Sequence, residues 1–278
     1  TFGSVAEITA EDATYRTGDR IATDRDFWAQ TLHGAPDALG FADTAVPAAS
    51  ALARSVRTHA VQIPGDVAEN LDGAARDAGV GWPDLVTAAV AAYLARVTGV
   101  RDVVLGFPAM NRMGSAAARV LATAVNVVPL RLDVAPDATA AALAATVRAT
   151  VAAQGKHSRY RGEDIHRDLR LPATASGPVG PTVNIKPFGD TVPFGDATAV
   201  VHSLARGPVH DLAVVARRLD GTRALELILD ADADRYTADD LAGHAEALAR
   251  LLTSWTLPVG DGHDAARTAL AHVDLLTP

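Results

Sequence analysis

Six polar side chains in this sequence are of types that can act on a carbonyl, an anion or an amine: Arg112, Asn126, His157, Asn184, Lys186 and Asp211. Amides and ammonium groups donate hydrogen bonds to oxyanions, and carboxylates or imidazoles orient or accept protons. None of the six belongs to a standard catalytic motif, because the sequence contains no P-loop, no HExxH and no GxSxG. Their types therefore indicate a polar cleft more clearly than they indicate a particular reaction.

Three of these candidates lie in strand-like segments. Asn126 interrupts the apolar run 124–128, and an amide buried in a strand must be fully hydrogen-bonded. Its chemistry favours a tie between a loop and the sheet over a donor that faces a substrate channel. Asn184 and Lys186 alternate with aliphatic residues and so share one strand face. That face is either solvated or the wall of a polar cleft, and the scarcity of lysine, with two in the chain, favours the wall.

The other three candidates each have an ordinary structural explanation. Asp211 stands at the head of an apolar strand, where an aspartate usually caps a turn; an orienting carboxylate at a cleft is the alternative. His157 follows a predicted helix, where the helix dipole favours a cation. Arg112 ends a strand-like segment and would usually lie in an exposed turn. Chemistry alone therefore assigns none of the three to a site.

Hydrophobic periodicity predicts the elements that must position these residues. Apolar residues recur at helical spacing over 67–78, 83–97, 143–151 and 241–255. Short segments rich in branched residues predict strands at 103–105, 125–132, 182–186, 212–216 and 225–229. Helices interleaved with strands indicate an α/β fold, a two-layer sandwich in which a mixed sheet carries helices on one face.

Composition excludes several classes of protein. The 278 residues are 49% hydrophobic and 21% charged, as in a globular domain, and the absence of cysteine excludes disulfides, thiolate zinc sites and a cysteine nucleophile. The nine histidines show no metal-ligand spacing, so no metal site is expected. A net charge of −8 argues against nucleic-acid and membrane partners. No signal peptide or spanning segment is visible, and a cytoplasmic location is expected.

Taken in order along the chain, several segments resemble the condensation domains of nonribosomal peptide synthetases. Residues 157–164 (HSRYRGED) are similar to the family pattern H-Q-D-Y-P-F-E-D, and 181–188 (PTVNIKPF) resembles the siderophore-type and starter-type members. The remaining matches are 26–28, 104–112, 125–131, 207–212 and the closing 273–278. No single motif is specific, but their order is, and the resemblance covers essentially the whole chain.

The resemblance implies a fold, a reaction and partners. The family fold has two chloramphenicol-acetyltransferase-like lobes with the active site in a tunnel between them. Its members join two substrates, each held as a thioester on the phosphopantetheine arm of a carrier protein. The domain itself binds no cofactor. By the same resemblance, Asn126, Asp211, Asn184, Lys186 and His157 would lie at the tunnel or the lobe junction. Arg112 would contact a phosphopantetheine phosphate.

One departure from the family pattern changes the expectation. The catalytic signature HHxxxDG is absent, because no two histidines are adjacent anywhere in the chain. We therefore expect residues 1–265 to form a carboxy-terminal lobe, a chloramphenicol-acetyltransferase-like half-domain that is inactive alone and contains no catalytic residue. Within it, 1–35 would be a helical lead-in from an amino-terminal lobe, and 266–278 would begin a linker to an adenylation domain.

Two other functions remain open on the sequence. The chain would serve as a non-catalytic scaffold that docks carrier proteins and an adenylation domain, or as a lobe of a related epimerization or acyltransferase domain. The linker-like ending favours a condensation domain over the last of these, because such a linker is expected between condensation and adenylation domains.

Overall fold

The computed structural model describes residues 2–42, 52–169, 179–187, 189–203, 208–256, 258–259 and 263–264. The helices in these ranges are α1 (Val5–Thr17), α2 (Arg20–Thr31), α3 (Gly65–Asp77), α4 (Trp82–Thr98), α5 (Ala140–Gly155), α6 (Gly162–Asp168) and α7 (Ala238–Ser254), with one 3-10 helix at Ala116–Arg119. The strands are β1 (Val56–Ile63), β2 (Asp102–Ala109), β3 (Asn126–Asp133), β4 (Thr182–Lys186), β5 (Thr191–Phe194), β6 (Ala197–Val200), β7 (Leu212–Arg218), β8 (Leu225–Asp232), β9 (Pro258–Val259) and β10 (His263–Asp264). The segment 266–278, where a linker is predicted, lies outside the described residues.

Six strands form one mixed sheet in the order β1-β8-β7-β4-β2-β3. The central strand β4 runs parallel to both β2 and β7, whereas the other pairs are antiparallel. The five predicted strands are confirmed as β2, β3, β4, β7 and β8. The sequence does not predict strand β1, because it is an edge strand that has no apolar run and whose side chains are exposed or half-buried except at Ile63.

Four helices, α3, α4, α5 and α7, cover one face of the sheet and enclose the main core. Helix α4 is buried along Leu85–Leu94 because it is apolar nearly all round. It begins with proline in its first turn and ends at Gly99, whose φ of 71° suits glycine. Helix α7 begins with a capping box between Thr237 and Asp240. The predicted α/β layers, with helices on one face, are confirmed.

A smaller core lies at the end of the sheet near the start of β3. This second cluster consists of Trp28 of α2, Leu32 just after it, Val128 of β3, Tyr160 just before α6, and Ile165 of α6. Within the predicted helical lead-in, residues 1–35, the described part contains α1 and α2. Helix α1 contributes one buried residue, so its attachment depends on polar contacts.

The longest apolar helices do not form a straight membrane span within the described residues. No single helix there is long and apolar enough to cross a bilayer, and α3 with α4 reach that length only as a pair bent by 97°.

The tyrosines provide a test of this packing. All four are buried, and burial raises the pKa of each: Tyr15, Tyr93, Tyr160 and Tyr236. The pKa of Tyr93 rises from 10.0 to about 12, and each of the other three also donates a hydrogen bond to an aspartate. The folded chain therefore keeps phenol protons that the unfolded chain loses above pH 10, so stability falls as pH rises through this range.

We expect tyrosinate absorbance to appear together with the loss of helical circular dichroism as the chain is titrated upward from neutral pH. The same chain in denaturant should titrate near the ordinary tyrosine pKa of about 10. Tyrosinate absorbance that develops near that pKa while the circular dichroism stays native would contradict the packing described here.

Candidate functional site

The face of the sheet opposite the four helices carries a cavity of about 410 Å³, which we call the sheet cavity. It is lined by Thr182, Asn184 and Lys186 of β4, together with Asp211, Val215 and Asp230. The alternation along β4 places Val183 and Ile185 in the main core and turns the polar residues to the cavity, as predicted. Three of the predicted site residues, Asn184, Lys186 and Asp211, thus share one cavity.

Asp211 is the most constrained of these three. Its carboxylate is buried, one oxygen lies 2.8 Å from Nε of Arg235, and the other accepts a hydrogen bond of 3.1 Å from the hydroxyl of Tyr236. Burial raises the pKa of Asp211, the positive charge of Arg235 and the Tyr236 hydrogen bond lower it, and the nearby Asp232 raises it. The carboxylate is thus held in one orientation by neighbours that offset part of its desolvation cost.

The Tyr236 hydroxyl extends this network to a distant part of the chain. It accepts hydrogen bonds from the backbone N–H groups of Phe41 and Ala42, at 3.0 and 3.2 Å. Gly40 allows the approach, because a Cβ at that position would overlap the carboxylate of Asp211. Asp211 therefore both lines the sheet cavity and joins residues 40–42 to β7, a role that the turn-cap explanation does not cover.

Asn126 lines a second cavity of about 310 Å³, which we call the helix cavity because α1 forms one wall. Its side-chain N–H groups donate to the carbonyls of Ser158 and Tyr160, both at 2.8 Å, and its carbonyl oxygen accepts from the Gly162 N–H at 3.0 Å. The hypothesis that Asn126 ties a loop to the sheet is confirmed. Asn126 thus lines a different cavity from Asn184, Lys186 and Asp211, and its role in a substrate channel stays a prediction.

Asn111 supports the same loop and was missed as a structural residue. Its side-chain N–H donates to the carbonyl of Ser158 at 2.9 Å, and its oxygen accepts from the Ser158 hydroxyl at 2.6 Å. It has a φ of 49°, a left-handed conformation that asparagine tolerates better than most residues. An asparagine at the end of a strand, next to a turn, is the sequence signal that indicates such a position.

His157 lies outside the linings of both cavities. Its Nδ1 is 2.7 Å from Oδ1 of Asp24, and its ring stacks on Phe27 at a centroid distance of 3.9 Å. Its backbone carbonyl accepts a hydrogen bond from the indole N–H of Trp28 at 3.0 Å. These contacts join the end of α5 to α2, so a specific carboxylate explains the position of His157 better than a helix dipole does. A role for His157 at the lobe junction stays a prediction.

Arg112 points its guanidinium at backbone carbonyls. It donates to Ala117 and Ala122, each at 2.5 Å, and to Val120 at 3.2 Å, and so holds the segment around the 3-10 helix. A guanidinium engaged in this way has fewer donors free for an anion. The predicted phosphate contact of Arg112 is untested, and this geometry favours a structural role for the residue.

Among the described residues, no group of three or more His, Asp or Glu side chains could hold a metal ion. The site consists of the sheet cavity, with fixed carboxylates at one end and Lys186 at the other. This arrangement can bind and orient a polar substrate.

Comparison with known proteins places this geometry in a family. A family model described as "Condensation domain" matches residues 5–255. The dimodular nonribosomal peptide synthase of Bacillus subtilis (strain 168) is 33% identical over 252 residues, which cover 90% of this chain and 10% of that protein. The isonitrile lipopeptide synthase of Streptomyces coeruleorubidus is 37% identical over 253 residues, 90% of this chain and 17% of that protein. Enterobactin synthase component F of Escherichia coli (strain K12) is 31% identical over 255 residues, 91% of this chain and 19% of that protein.

Solved structures agree with these relatives. The first condensation domain of the calcium-dependent antibiotic synthetase has a TM-score of 0.84 at 32% identity, and the match covers 100% of this chain and 58% of that one. The starter condensation domain of rhizomide synthetase has a TM-score of 0.83 at 27% identity, over 99% of this chain and 60% of that one. The chain therefore spans less than two thirds of each of these two solved chains and less than a fifth of each of the three synthases. Because the family model matches most of the chain and the fold agrees, the chain belongs to the condensation domain family of the nonribosomal peptide synthetases.

Proposed function

We propose that this chain is the carboxy-terminal lobe of a condensation domain and that, together with a lobe carrying HHxxxDG, it forms an amide bond between two carrier-bound acyl groups. The observation that carries this proposal is the family match over residues 5–255. The length relationship supports the assignment to one lobe, since the chain spans 58 to 60% of the solved condensation domains to which it is similar. The lack of any adjacent histidine pair in the 278 residues supports it further.

In this proposal the acceptor amine attacks the donor thioester carbonyl, so that a C–N bond forms and a C–S bond breaks. The proton lost by the amine ends on the departing thiol. Holding two tethered reactants in place can supply about 7–11 kcal/mol of the barrier reduction. The sheet cavity would contribute by positioning: Asn184 can donate an N–H to a substrate oxygen, and the fixed carboxylate of Asp211 shapes the opposite end. A base from the HHxxxDG lobe would act on the amine.

The hairpin of β5 and β6 gives physical support for a partner lobe. Four apolar side chains at this hairpin are exposed by 47 to 77%, namely Val192, Phe194, Val200 and Val201. Grouped exposed apolar residues usually mark an interaction surface. Its base is fixed by Asp220, which accepts hydrogen bonds from the backbone N–H and the hydroxyl of Thr191. An HHxxxDG lobe would cover this surface in the complete domain.

The proposed partners follow from the multidomain relatives. Carrier proteins would deliver both substrates on phosphopantetheine arms, and an adenylation domain would follow the lobe in the chain. A siderophore or starter-type assignment is the finer form of the proposal, supported by the similarity to enterobactin synthase component F and to a starter condensation domain.

A titration with an acyl-loaded carrier protein would test whether the chain is more than a scaffold. Nuclear magnetic resonance of the isotope-labelled chain should show shifts at Asn184 and Val215 in the sheet cavity when the acyl group enters. An unloaded carrier should shift only surface residues. Identical shifts with loaded and unloaded carrier would indicate docking without substrate binding, and would favour a scaffold.

A further inference from the structure

A row of charged side chains crosses the sheet at one end of the sheet cavity. The strand register pairs Lys186 of β4 with Arg217 of β7, and Arg217 with Glu226 of β8. Arg217 binds both nearby carboxylates, with a hydrogen bond of 2.6 Å to Glu226 and an ion pair to Asp190. Lys186 thus has a cation as its neighbour across the sheet, and that cation already binds both acids.

The acids on the cavity wall are also engaged. Asp211 pairs with Arg235, and Asp230 accepts a hydrogen bond of 2.6 Å from the hydroxyl of Thr58. Within the described part of the chain, the Lys186 side chain makes no hydrogen bond and no ion pair, and the residue is half-buried in the cavity lining. An ammonium group at the cavity wall without a carboxylate partner is placed to attract an anion.

We infer that Lys186 is a specificity-determining residue that binds a carboxylate on the acyl group held in the sheet cavity, so that acyl thioesters bearing a second, free carboxylate are the preferred substrates. This inference rests on the proposed function, since it takes an acyl thioester as the ligand. The atoms involved are the ε-ammonium as donor and the carboxylate oxygens as acceptors, and no covalent step is required.

The position of Lys186 favours a substrate carboxylate over the oxyanion of the reacting carbonyl. Oxyanion stabilisation depends on donors fixed in advance, whereas a lysine ammonium is a point charge on a flexible stem. Lys186 also ends its strand, four residues beyond Thr182, which corresponds to about 13 Å along β4. The cavity volume of about 410 Å³ and the distance from Thr182 to Lys186 leave room for an acyl chain. The free carboxylate of such a chain can lie at Lys186, away from the thioester.

The sequence offers a matched control, because its two lysines are Lys156 and Lys186. Lys156 follows α5, is exposed and does not line the sheet cavity. Lys156→Met therefore removes the same net charge without changing the cavity. The probes are the N-acetylcysteamine thioester of glutarate and its neutral terminal amide, and the measurement is the dissociation constant of each from the full chain by calorimetry.

We expect the glutarate probe to bind about tenfold more tightly than the amide, as for a hydrogen bond to a charged group, and Lys186→Met to remove that preference. Lys156→Met should retain it. Isotope-labelled dimethylation of the lysines gives a second readout, in which glutarate should shift the Lys186 signal alone. Equal affinity for the two probes, or a preference that survives in a folded Lys186→Met chain, would overturn the inference. The experiment measures probe binding and requires no amide formation. A negative result here is therefore distinguishable from a failure of the proposed amide-forming activity.

Discussion

Replacing Asp211 with alanine is expected to destabilise the chain by about 3 to 5 kcal/mol, because the change leaves a largely buried arginine without its carboxylate. The Arg235 side chain is 12% exposed and the Asp211 side chain 5%, so solvent does little to compensate for the loss. The Tyr236 hydroxyl also loses its acceptor, which weakens the link to residues 40–42. Chemical denaturation followed by circular dichroism gives the free energy of unfolding.

The matched control for this change is Asp133→Ala. Asp133 forms an ion pair with Arg101 at 3.2 Å, but its side chain is 69% exposed. Exposed pairs contribute about 0 to 1 kcal/mol, so the control should stay close to the parent chain. If the unfolding free energy of Asp211→Ala also lies within about 1 kcal/mol of the parent chain, the buried network at the sheet cavity does not stabilise the fold as described.

Replacing Asn126 with alanine is expected to destabilise the chain by about 2 to 4 kcal/mol, because the Tyr160 carbonyl and the Gly162 N–H lose their side-chain partner and the Ser158 carbonyl keeps only Asn111. The loop 158–162 should open more often than the rest of the fold. Hydrogen exchange should therefore increase at Gly162, whose N–H is bonded to the Asn126 side chain, more than in the main sheet.

Asn184→Ala is the control for that prediction, since it makes the same substitution on the same sheet. The Asn184 side chain makes no hydrogen bond with the described residues and faces the sheet cavity. We expect a change in unfolding free energy within about 0.5 kcal/mol, together with reduced binding of an acyl probe. Equal stability losses at the two asparagines would contradict the division between a loop tie at 126 and a cavity wall at 184.

The sequence predicts the orientation of side chains best where the rule is local. The alternation that turns Asn184 and Lys186 away from the core requires only that 182–186 be a strand, and the structure confirms it. The requirement that a buried amide be fully bonded likewise identified Asn126 as a tie between loop and sheet. The first constraint acts within the strand itself, whereas the second predicts that the amide is bonded without identifying its partners, which lie 32 to 36 residues away along the chain.

The sequence does not predict which distant residues meet. Tyr236 contacts Phe41 across 195 residues, and this contact makes Asp211 a junction rather than a turn cap. His157 was explained by a helix dipole, whereas its partner is Asp24, 133 residues earlier in the chain. Strand β1 was missed because its apolar alternation is weak at the sheet edge. Such pairings depend on the whole topology, which periodicity does not specify.

The proposal that this chain forms amide bonds only as one lobe of a condensation domain can be tested directly. The direct measurement is amide formation between an acyl-loaded donor carrier and an aminoacyl-loaded acceptor carrier, followed by mass spectrometry of the released product. We predict no product above background with this chain alone, and product when the chain is expressed in one polypeptide with an HHxxxDG lobe. Product formed by the chain alone would contradict the assignment to one lobe, and no product from the folded two-lobe polypeptide would contradict the condensation function.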